Sequence, residues 1–235
     1  MIPIRDSIPG ERVPITTVSL ILVNIGVFIV ELLAGPRVEE LIMTFGVVPV
    51  RILTEWQNPQ VLMTLFTGMY MHAGWAHLIG NLIYLGVFGN NVEDRMGHGR
   101  FFLFYTLSGL VAWAAEIVAA PQSSIPGIGA SGAIAGVLGA YLLLFPRARV
   151  EVLVPLPLIF TTFVLPATLV LGGWFLIQFF NGLMTLNVVT QTGGVAWWAH
   201  IGGFVAGMLL SLLFRQKRPA VVSPYDIEEL WRRQW

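Results

Sequence analysis

The sequence predicts an all-α membrane protein whose chain crosses the bilayer six times. Of its 235 residues, 56% are hydrophobic and 11% are charged, and the mean hydropathy is +0.76. This composition is too apolar for an ordinary water-soluble domain of this length. Six mostly apolar segments approach the roughly 20 residues that a spanning helix needs. The predicted spans are residues 15–34, 74–92, 101–120, 131–145, 158–180 and 197–214.

The charge balance and the absence of cysteine narrow the range of functions. Thirteen lysines and arginines balance thirteen acidic residues, and the chain has no cysteine. There is therefore no basic excess to indicate a nucleic-acid partner. Disulfides, thiolate metal sites and cysteine nucleophiles are excluded together.

The first span follows a short polar segment, residues 1–14. This start is similar to a signal peptide, but the apolar run is long enough to span and more spans follow, so we expect a retained helix. The loop after it, residues 36–67, mixes charged residues with large apolar ones. We expect this first loop to lie along the membrane interface.

Six spans put both chain termini on one side of the membrane, and positive charge indicates which side is cytoplasmic. Arg5, Arg12, Arg95, Arg100, Arg147, Arg149, Arg215, Lys217, Arg218, Arg232 and Arg233 lie on the side of the termini, whereas Arg37 and Arg51 lie opposite. We therefore expect a cytoplasmic segment 1–14, a membrane domain 15–214 and a cytoplasmic tail 215–235. A prokaryotic plasma membrane suits this short chain best.

The fourth span is short. Residues 131–145 rise only about 22 Å as a helix, against a hydrocarbon thickness of roughly 30 Å. Residues 121–130, which precede it, contain two prolines and two glycines and do not favour a regular helix. Such backbone is tolerated at membrane depth only where protein or water satisfies it. We expect a water-filled cavity that opens outward in front of Ser131.

Ser131 is the first candidate catalytic residue. It lies between small neighbours, in Gly129-Ala130-Ser131-Gly132, at the predicted start of a helix. The unpaired N–H groups and positive dipole end of a helix N-terminus favour an anion. A serine here is alternatively a plain N-cap.

His200 is the second candidate, because it lies three residues inside the last span. An ionisable group at that depth is costly and often has a function. Small residues at helical spacing let two helices approach closely. They are Gly132, Gly136 and Ala140 in the fourth span and Ala199, Gly203 and Gly207 in the sixth. Such packing could bring His200 within the ~3 Å of Ser131 that a nucleophile and its base require. The alternative is a structural histidine that bonds a neighbouring carbonyl.

A third cluster opens the second span. His77 and Asn81 are four residues apart and share one helix face, whereas His72 and His77 do not. The pattern is therefore not an obvious two-histidine metal clamp. His77 and Asn81 could donate hydrogen bonds to a developing oxyanion. The alternative is a helix-entry cap with interfacial histidines.

Chain alternation places all three clusters at the outer ends of spans two, four and six. A serine hydrolase needs a nucleophile, a base and oxyanion donors at one place, and these clusters supply them without a carboxylate. Glu116 and Glu31, also near outer ends, are interpreted as interfacial carboxylates rather than catalytic groups.

Together the motifs resemble the rhomboid family. The matching residues are His72-x4-His77-x3-Asn81, Gly129-Ala130-Ser131-Gly132 and Ala199-His200-x2-Gly203, and the resemblance runs from the first span to Phe214. It implies a six-helix rhomboid-like bundle and an intramembrane serine endopeptidase with Ser131 as nucleophile and His200 as base. It also implies an oxyanion hole of His77, Asn81 and the Ser131 backbone N–H.

The resemblance further implies transmembrane protein substrates, with small residues at the cut, and no metal or cofactor. Glu93-Asp94-Arg95-Met96-Gly97 resembles the family's E-x-R-x-G element, in which we interpret Glu93 and Arg95 as structural. The family's Trp-Arg pair is replaced by Met63 and Thr64.

Some alternatives stay open. A catalytically inactive rhomboid-like chaperone would share the fold, but the presence of Ser131 and His200 favours an enzyme. A channel or transporter could use His72, His77 and His200 as a polar path. A haem or metal protein would leave the serine unexplained.

The fifth helix could bend to admit substrate from the lipid, because it contains Pro166, Gly172 and Gly173. Full cleavage with that helix restrained by crosslinks would count against this route. The oligomeric state and the physiological substrate are not indicated.

Overall fold

The computed structural model describes residues 1–156, 159–185 and 194–216, and these contain nine α-helices and three β-strands. The helices are α1 (Ile15–Ala34), α2 (Val38–Phe45), α3 (Pro49–Thr54), α4 (Pro59–Thr67), α5 (Trp75–Met96), α6 (His98–Ala119), α7 (Ser131–Leu144), α8 (Ala167–Thr185) and α9 (Trp197–Phe214). The strands are β1 (Ile2–Asp6), β2 (Arg149–Leu156) and β3 (Ile159–Pro166). Most of the predicted tail, residues 217–235, lies outside the described residues.

Four helical segments of the described chain are long and apolar enough to cross a membrane, so the protein is a multi-pass integral membrane protein. They are Ile15–Phe45, which combines α1 and α2 through a 3-10 turn, and α6, α8 and α9. Two more helices occupy the second and fourth predicted spans. Of these, α7 has only 14 residues, and α5 has 22 but carries the charged residues Glu93, Asp94 and Arg95 in its last turn.

The short helix α7 lies at the centre and packs against α5, α6, α8 and α9. Its residues from Gly132 to Tyr141 are all buried. A Cβ added to Gly203 or Gly207 of α9 would overlap the carbonyl oxygen of Gly132 or Gly136, respectively. The close approach predicted from the small residues is therefore confirmed, and glycine is required there by space rather than by conformation.

A three-stranded antiparallel sheet, in the order β1-β2-β3, corrects the all-α prediction. Its register pairs Ile2 with Leu153 in the first ladder and Val150 with Leu165 in the second. The predicted start of the fifth helix, residue 158, lies outside the described residues, and the prediction of helix over residues 159–166 is wrong. These residues form β3, and the helix begins at Ala167. An apolar run alone does not distinguish a buried strand from a helix.

The same correction moves Pro166 out of the fifth helix, since it is the last residue of β3. It therefore cannot act as a bend inside α8. Gly172 and Gly173 do lie inside α8, and a Cβ at either position would meet nothing within 4 Å.

The first loop is largely helical, comprising α2, α3 and α4, and the 3-10 turn Gly68–Tyr70 follows it. Residues 121–130 are not a regular helix, as predicted. They are held by paired backbone hydrogen bonds between Val47 and Gly127 (2.9 and 2.7 Å) and by a bond from Gly129 N–H to Gly68 O (2.8 Å). The first loop thus supports the backbone that leads into Ser131.

Glu93 holds the start of α1 against the end of α5. Its carboxylate accepts hydrogen bonds from the backbone N–H groups of Thr16 and Thr17 and from the Thr17 hydroxyl, at 2.7–2.8 Å. The Arg95 guanidinium lies 5.3 Å from the centre of the Phe145 ring. Both contacts agree with a structural interpretation of these two residues.

Candidate active site

Ser131 and His200 meet where α7 and α9 begin. Ser131 is the first residue of α7, and His200 lies in the first turn of α9. His200 Nε2 is 2.8 Å from Ser131 Oγ, and the histidine is buried. The N-cap of α7 is Ala130, without a side-chain capping bond, so the alternative of Ser131 as a plain N-cap is wrong. The serine hydroxyl is bonded to a potential base instead.

His77 lies beside the same serine. A Cβ added to Gly129 would lie 2.7 Å from His77 Nε2 and 3.6 Å from Ser131 Oγ, so both atoms border one small space. Gly129 also has a φ of +128°, a conformation that side-chain-bearing residues rarely adopt. Glycine is therefore needed here for both its backbone and its size, and it lets the imidazole of His77 approach the serine.

Asn81 lies one turn further along α5 than His77 and is buried. Among the described residues, its side-chain Nδ2 has no hydrogen-bond partner. A buried amide donor without a partner is costly unless something else accepts from it. Asn81 thus offers a free donor on the helix face that also carries His77.

His72 does not contact Ser131 or His200 in the described hydrogen bonds. Its backbone N–H donates to Glu31 Oε1 and Oε2 at 3.1 and 3.2 Å, and its ring meets that of His77 edge-on with centres 5.0 Å apart. Burial, with a smaller contribution from His77, lowers the pKa of His72 to about 4. His72 is therefore neutral near pH 7 and supports His77 by packing rather than by charge.

Two residues of α8, which sequence reasoning missed, contact His200. Gln178 Oε1 lies 2.8 Å from His200 Nδ1, and the Trp174 ring packs against the imidazole with centres 5.7 Å apart. One signal was present in the sequence, because Gln178 is the only amide or charged side chain between Leu169 and Phe180. Polar residues inside apolar spans commonly have a partner in the bundle.

Glu116 has a structural partner at the same end of the bundle. Its Oε2 accepts the backbone N–H of Ala199 at 3.0 Å, which satisfies a donor in the first turn of α9. The carboxylate thus supports the helix that carries His200, without a hydrogen bond to the imidazole.

A cavity of about 670 Å³ lies between the end of α6, the segment after it and the start of α9. Its lining includes Glu116, the loop from Pro121 to Gly127, and residues 194–198 before and within the start of α9. Neither Ser131 nor His200 lines it, so this cavity is not the space predicted in front of the serine.

Comparison with known proteins identifies relatives of this chain. The family model described as Rhomboid domain matches residues 59–217. Rhomboid protease GluP of Bacillus subtilis (strain 168) is 36% identical over 117 residues, which cover 49% of this chain but only 21% of GluP. YdcA of the same strain is 31% identical over 154 residues, or 66% of this chain and 68% of YdcA. Rhomboid-like protein 11, chloroplastic, of Arabidopsis thaliana is 27% identical over 124 residues, covering 53% and 40%.

Proposed function

Because the chain belongs to the rhomboid family, we propose that it is an intramembrane serine endopeptidase that cleaves transmembrane segments of other membrane proteins. The observation that carries this proposal is the 2.8 Å contact between Ser131 Oγ and His200 Nε2. A partly buried serine hydroxyl bonded to an imidazole nitrogen is the arrangement that activates a serine nucleophile. The relative GluP, which is named a rhomboid protease, supports the same activity.

The proposed reaction proceeds through an acyl-enzyme. Ser131 Oγ attacks a peptide carbonyl of the substrate while His200 Nε2 takes the hydroxyl proton. The tetrahedral intermediate collapses when the C–N bond breaks, and His200 returns that proton to the leaving amine. His200 then takes a proton from water, whose oxygen attacks the ester. Collapse releases the new carboxyl terminus and returns the proton to Ser131, so no redox change or cofactor is needed.

We assign the oxyanion hole to His77, Asn81 and the Ser131 backbone N–H. The carbonyl oxygen becomes negative in the intermediate, and donors already in position stabilise it. The space shared by His77 Nε2 and Ser131 Oγ beside Gly129, together with the free Nδ2 of Asn81, supports this assignment.

We further propose that α5 and α7 complete a bundle of six spanning helices, residues 15–214, with the first loop at the interface. Both termini, residues 1–14 and 215–235, would then lie in the cytoplasm of a bacterial cell. Alkaline phosphatase, which is active only outside the cytoplasm, should be inactive when fused at the C-terminus and active when inserted in the first loop. The opposite pattern would reverse the assigned topology.

The principal experiment is cleavage of a model transmembrane substrate by the purified protein in detergent, with EDTA throughout. Ser131→Ala and His200→Ala should each lower the rate roughly 10³-fold or more, because the two side chains act as a unit. Ser211→Ala is the matched control, since its hydroxyl donates to Met208 O within α9 and is far along the helix from His200. EDTA should leave the rate unchanged.

The alternative functions predict other outcomes. An unchanged rate in Ser131→Ala would exclude the serine mechanism. A wild-type protein that binds transmembrane clients but cleaves none of several helix-destabilised substrates would favour the inactive chaperone. Ion or solute flux that depends on His72, His77 and His200 would favour the channel.

A further inference from the structure

The buried face of α8 contains one polar side chain. Its buried residues are Ala167, Val170, Leu171, Gln178 and Gly182. Burying an amide in an apolar helix seam is costly unless it is hydrogen-bonded. The 6% exposure of Gln178 therefore requires a partner, and the partner is His200.

The Gln178 bond determines which nitrogen of the imidazole carries the proton. The amide Oε1 can only accept, so His200 Nδ1, 2.8 Å away, is the donor. A neutral imidazole has one N–H, and Nε2 therefore presents its lone pair to Ser131 Oγ, also at 2.8 Å. This tautomer is the one in which His200 can take the serine proton.

Two aromatic rings restrict the orientation of the same imidazole. Trp174, one turn before Gln178 on α8, packs on it with ring centres 5.7 Å apart. Trp197 stands perpendicular to it at 6.4 Å. Of the three side chains that hold the ring, two belong to α8, so the position of the base depends on that helix.

We propose that Gln178 is a positioning residue that holds His200 in its Nδ1–H tautomer and makes the competence of the base depend on the docking of α8. This inference rests on the proposed protease function. In serine proteases with a triad, a carboxylate occupies the corresponding place and also stabilises the imidazolium by its charge. A neutral amide provides orientation without that charge, and a displacement of α8 by about 1 Å would break its hydrogen bond.

Three variants of the full-length protein test the kinetic consequence. Gln178→Leu removes the acceptor, and we expect kcat to fall roughly 10- to 100-fold, as is typical when a partner that orients a functional histidine is lost. KM should change little, because substrate binding is unaffected. Gln178→Glu retains an acceptor oxygen and should recover most of the rate. Asn181→Leu is the matched control, since its amide donates within α8, to Ile177 O, and it should behave as wild type.

A spectroscopic measurement tests the bond without any substrate. The chain has only four histidines, so 15N-histidine labelling gives a simple spectrum, in which the His200 signals are those absent from His200→Ala. We expect Nδ1 to be protonated and Nε2 unprotonated at neutral pH in the wild type. In Gln178→Leu this preference should be lost, whereas Asn181→Leu should retain it.

The two measurements separate this inference from the protease function. Wild-type cleavage with an unchanged kcat and His200 spectrum in Gln178→Leu would overturn the positioning role and leave the protease function intact. Absence of wild-type cleavage, with the expected change of tautomer in Gln178→Leu, would overturn the protease function while the Gln178–His200 bond stands. Loss of the rate without a change of tautomer would also overturn the inference.

Discussion

The carboxylates of Glu116 and Glu31 accept hydrogen bonds from backbone groups rather than from His200. Glu116 accepts the N–H of Ala199, and Glu31 accepts that of His72. The residue that bonds the imidazole is an amide, Gln178. Glu116 and Glu31 thus fix backbone segments that carry or support the candidate site, and no carboxylate of the described residues is hydrogen-bonded to the His200 imidazole.

Asn81 provides the test of the proposed oxyanion hole. Asn81→Ala should lower kcat about 10²- to 10³-fold with KM little changed, because the lost donor acts mainly on the charge that develops in the transition state. Asn90→Ala, an amide change further along α5, is the control and should retain the rate. A KM increase with an unchanged kcat would instead identify Asn81 as a substrate-binding residue.

At the scale of elements, the contact of α7 with α9 determines whether Ser131 and His200 meet. The two helices approach so closely that Gly203 and Gly207 have no room for a methyl group. In a bilayer, helices associate through close van der Waals packing, because lipid is as apolar as their side chains. The short distance between Ser131 Oγ and His200 Nε2 is therefore a consequence of glycine packing further along the two helices.

Gly207→Ala tests this packing. The added methyl should push α9 from Gly136 and lower the free energy of unfolding by about 1–3 kcal/mol, as overpacking commonly does. Gly172→Ala is the matched control on α8, where the methyl meets nothing, and it should be neutral or slightly stabilising because alanine favours helix. Thermal unfolding in detergent measures both changes. Equal Tm values for the two variants would contradict the packing argument.

At the scale of the whole molecule, α5 and α7 join the candidate site to a polar cluster at their other ends. Asp6, in the N-terminal strand, accepts hydrogen bonds from the Tyr141 hydroxyl at 2.5 Å and from Asn91 Nδ2 at 2.6 Å. The strand is also paired with β2. The start of the chain is thereby tied to the two helices whose opposite ends hold Ser131, His77 and Asn81.

Asp6 gives the fold a predicted pH dependence. Burial raises the pKa of Asp6 above its ordinary value, although the hydrogen bonds from Tyr141 and Asn91 act in the opposite direction. The folded state therefore binds the proton more tightly than the unfolded state, and this group's contribution to stability falls as pH rises from the ordinary carboxyl value through the raised one. Tm measured across this pH window should decline less in Asp6→Asn, which keeps an acceptor oxygen.

Asp6→Ala should behave differently at every pH. It leaves the Tyr141 hydroxyl and the Asn91 amide without their acceptor, which costs about 1–3 kcal/mol for a buried group. Equal stability of the alanine and asparagine variants would mean that the cluster does not hold the N-terminal strand.

The sequence by itself determined the properties that depend on local composition. Hydropathy located α1, α6 and α9 to within a few residues, and glycine and proline marked the irregular segment 121–130. The motifs also singled out Ser131 and His200 and indicated the family, because short motifs at helix starts can be recognised without knowing how the helices pack. Length and composition do not identify α5 and α7 as membrane-spanning helices. The count of six spans is therefore a proposal.

Only the tertiary structure decided what depends on partners distant in the chain. The sequence predicts helix for residues 159–166, because a short apolar run fits either a helix or a buried strand. Pairing with β2 makes these residues a strand. The hydrogen-bond partner of Gln178 is a histidine 22 residues away, and that of Glu116 is a backbone N–H 83 residues away. Hydrogen bonds to such distant groups leave no periodic pattern in the sequence, because a single buried polar residue has many possible partners until packing selects one.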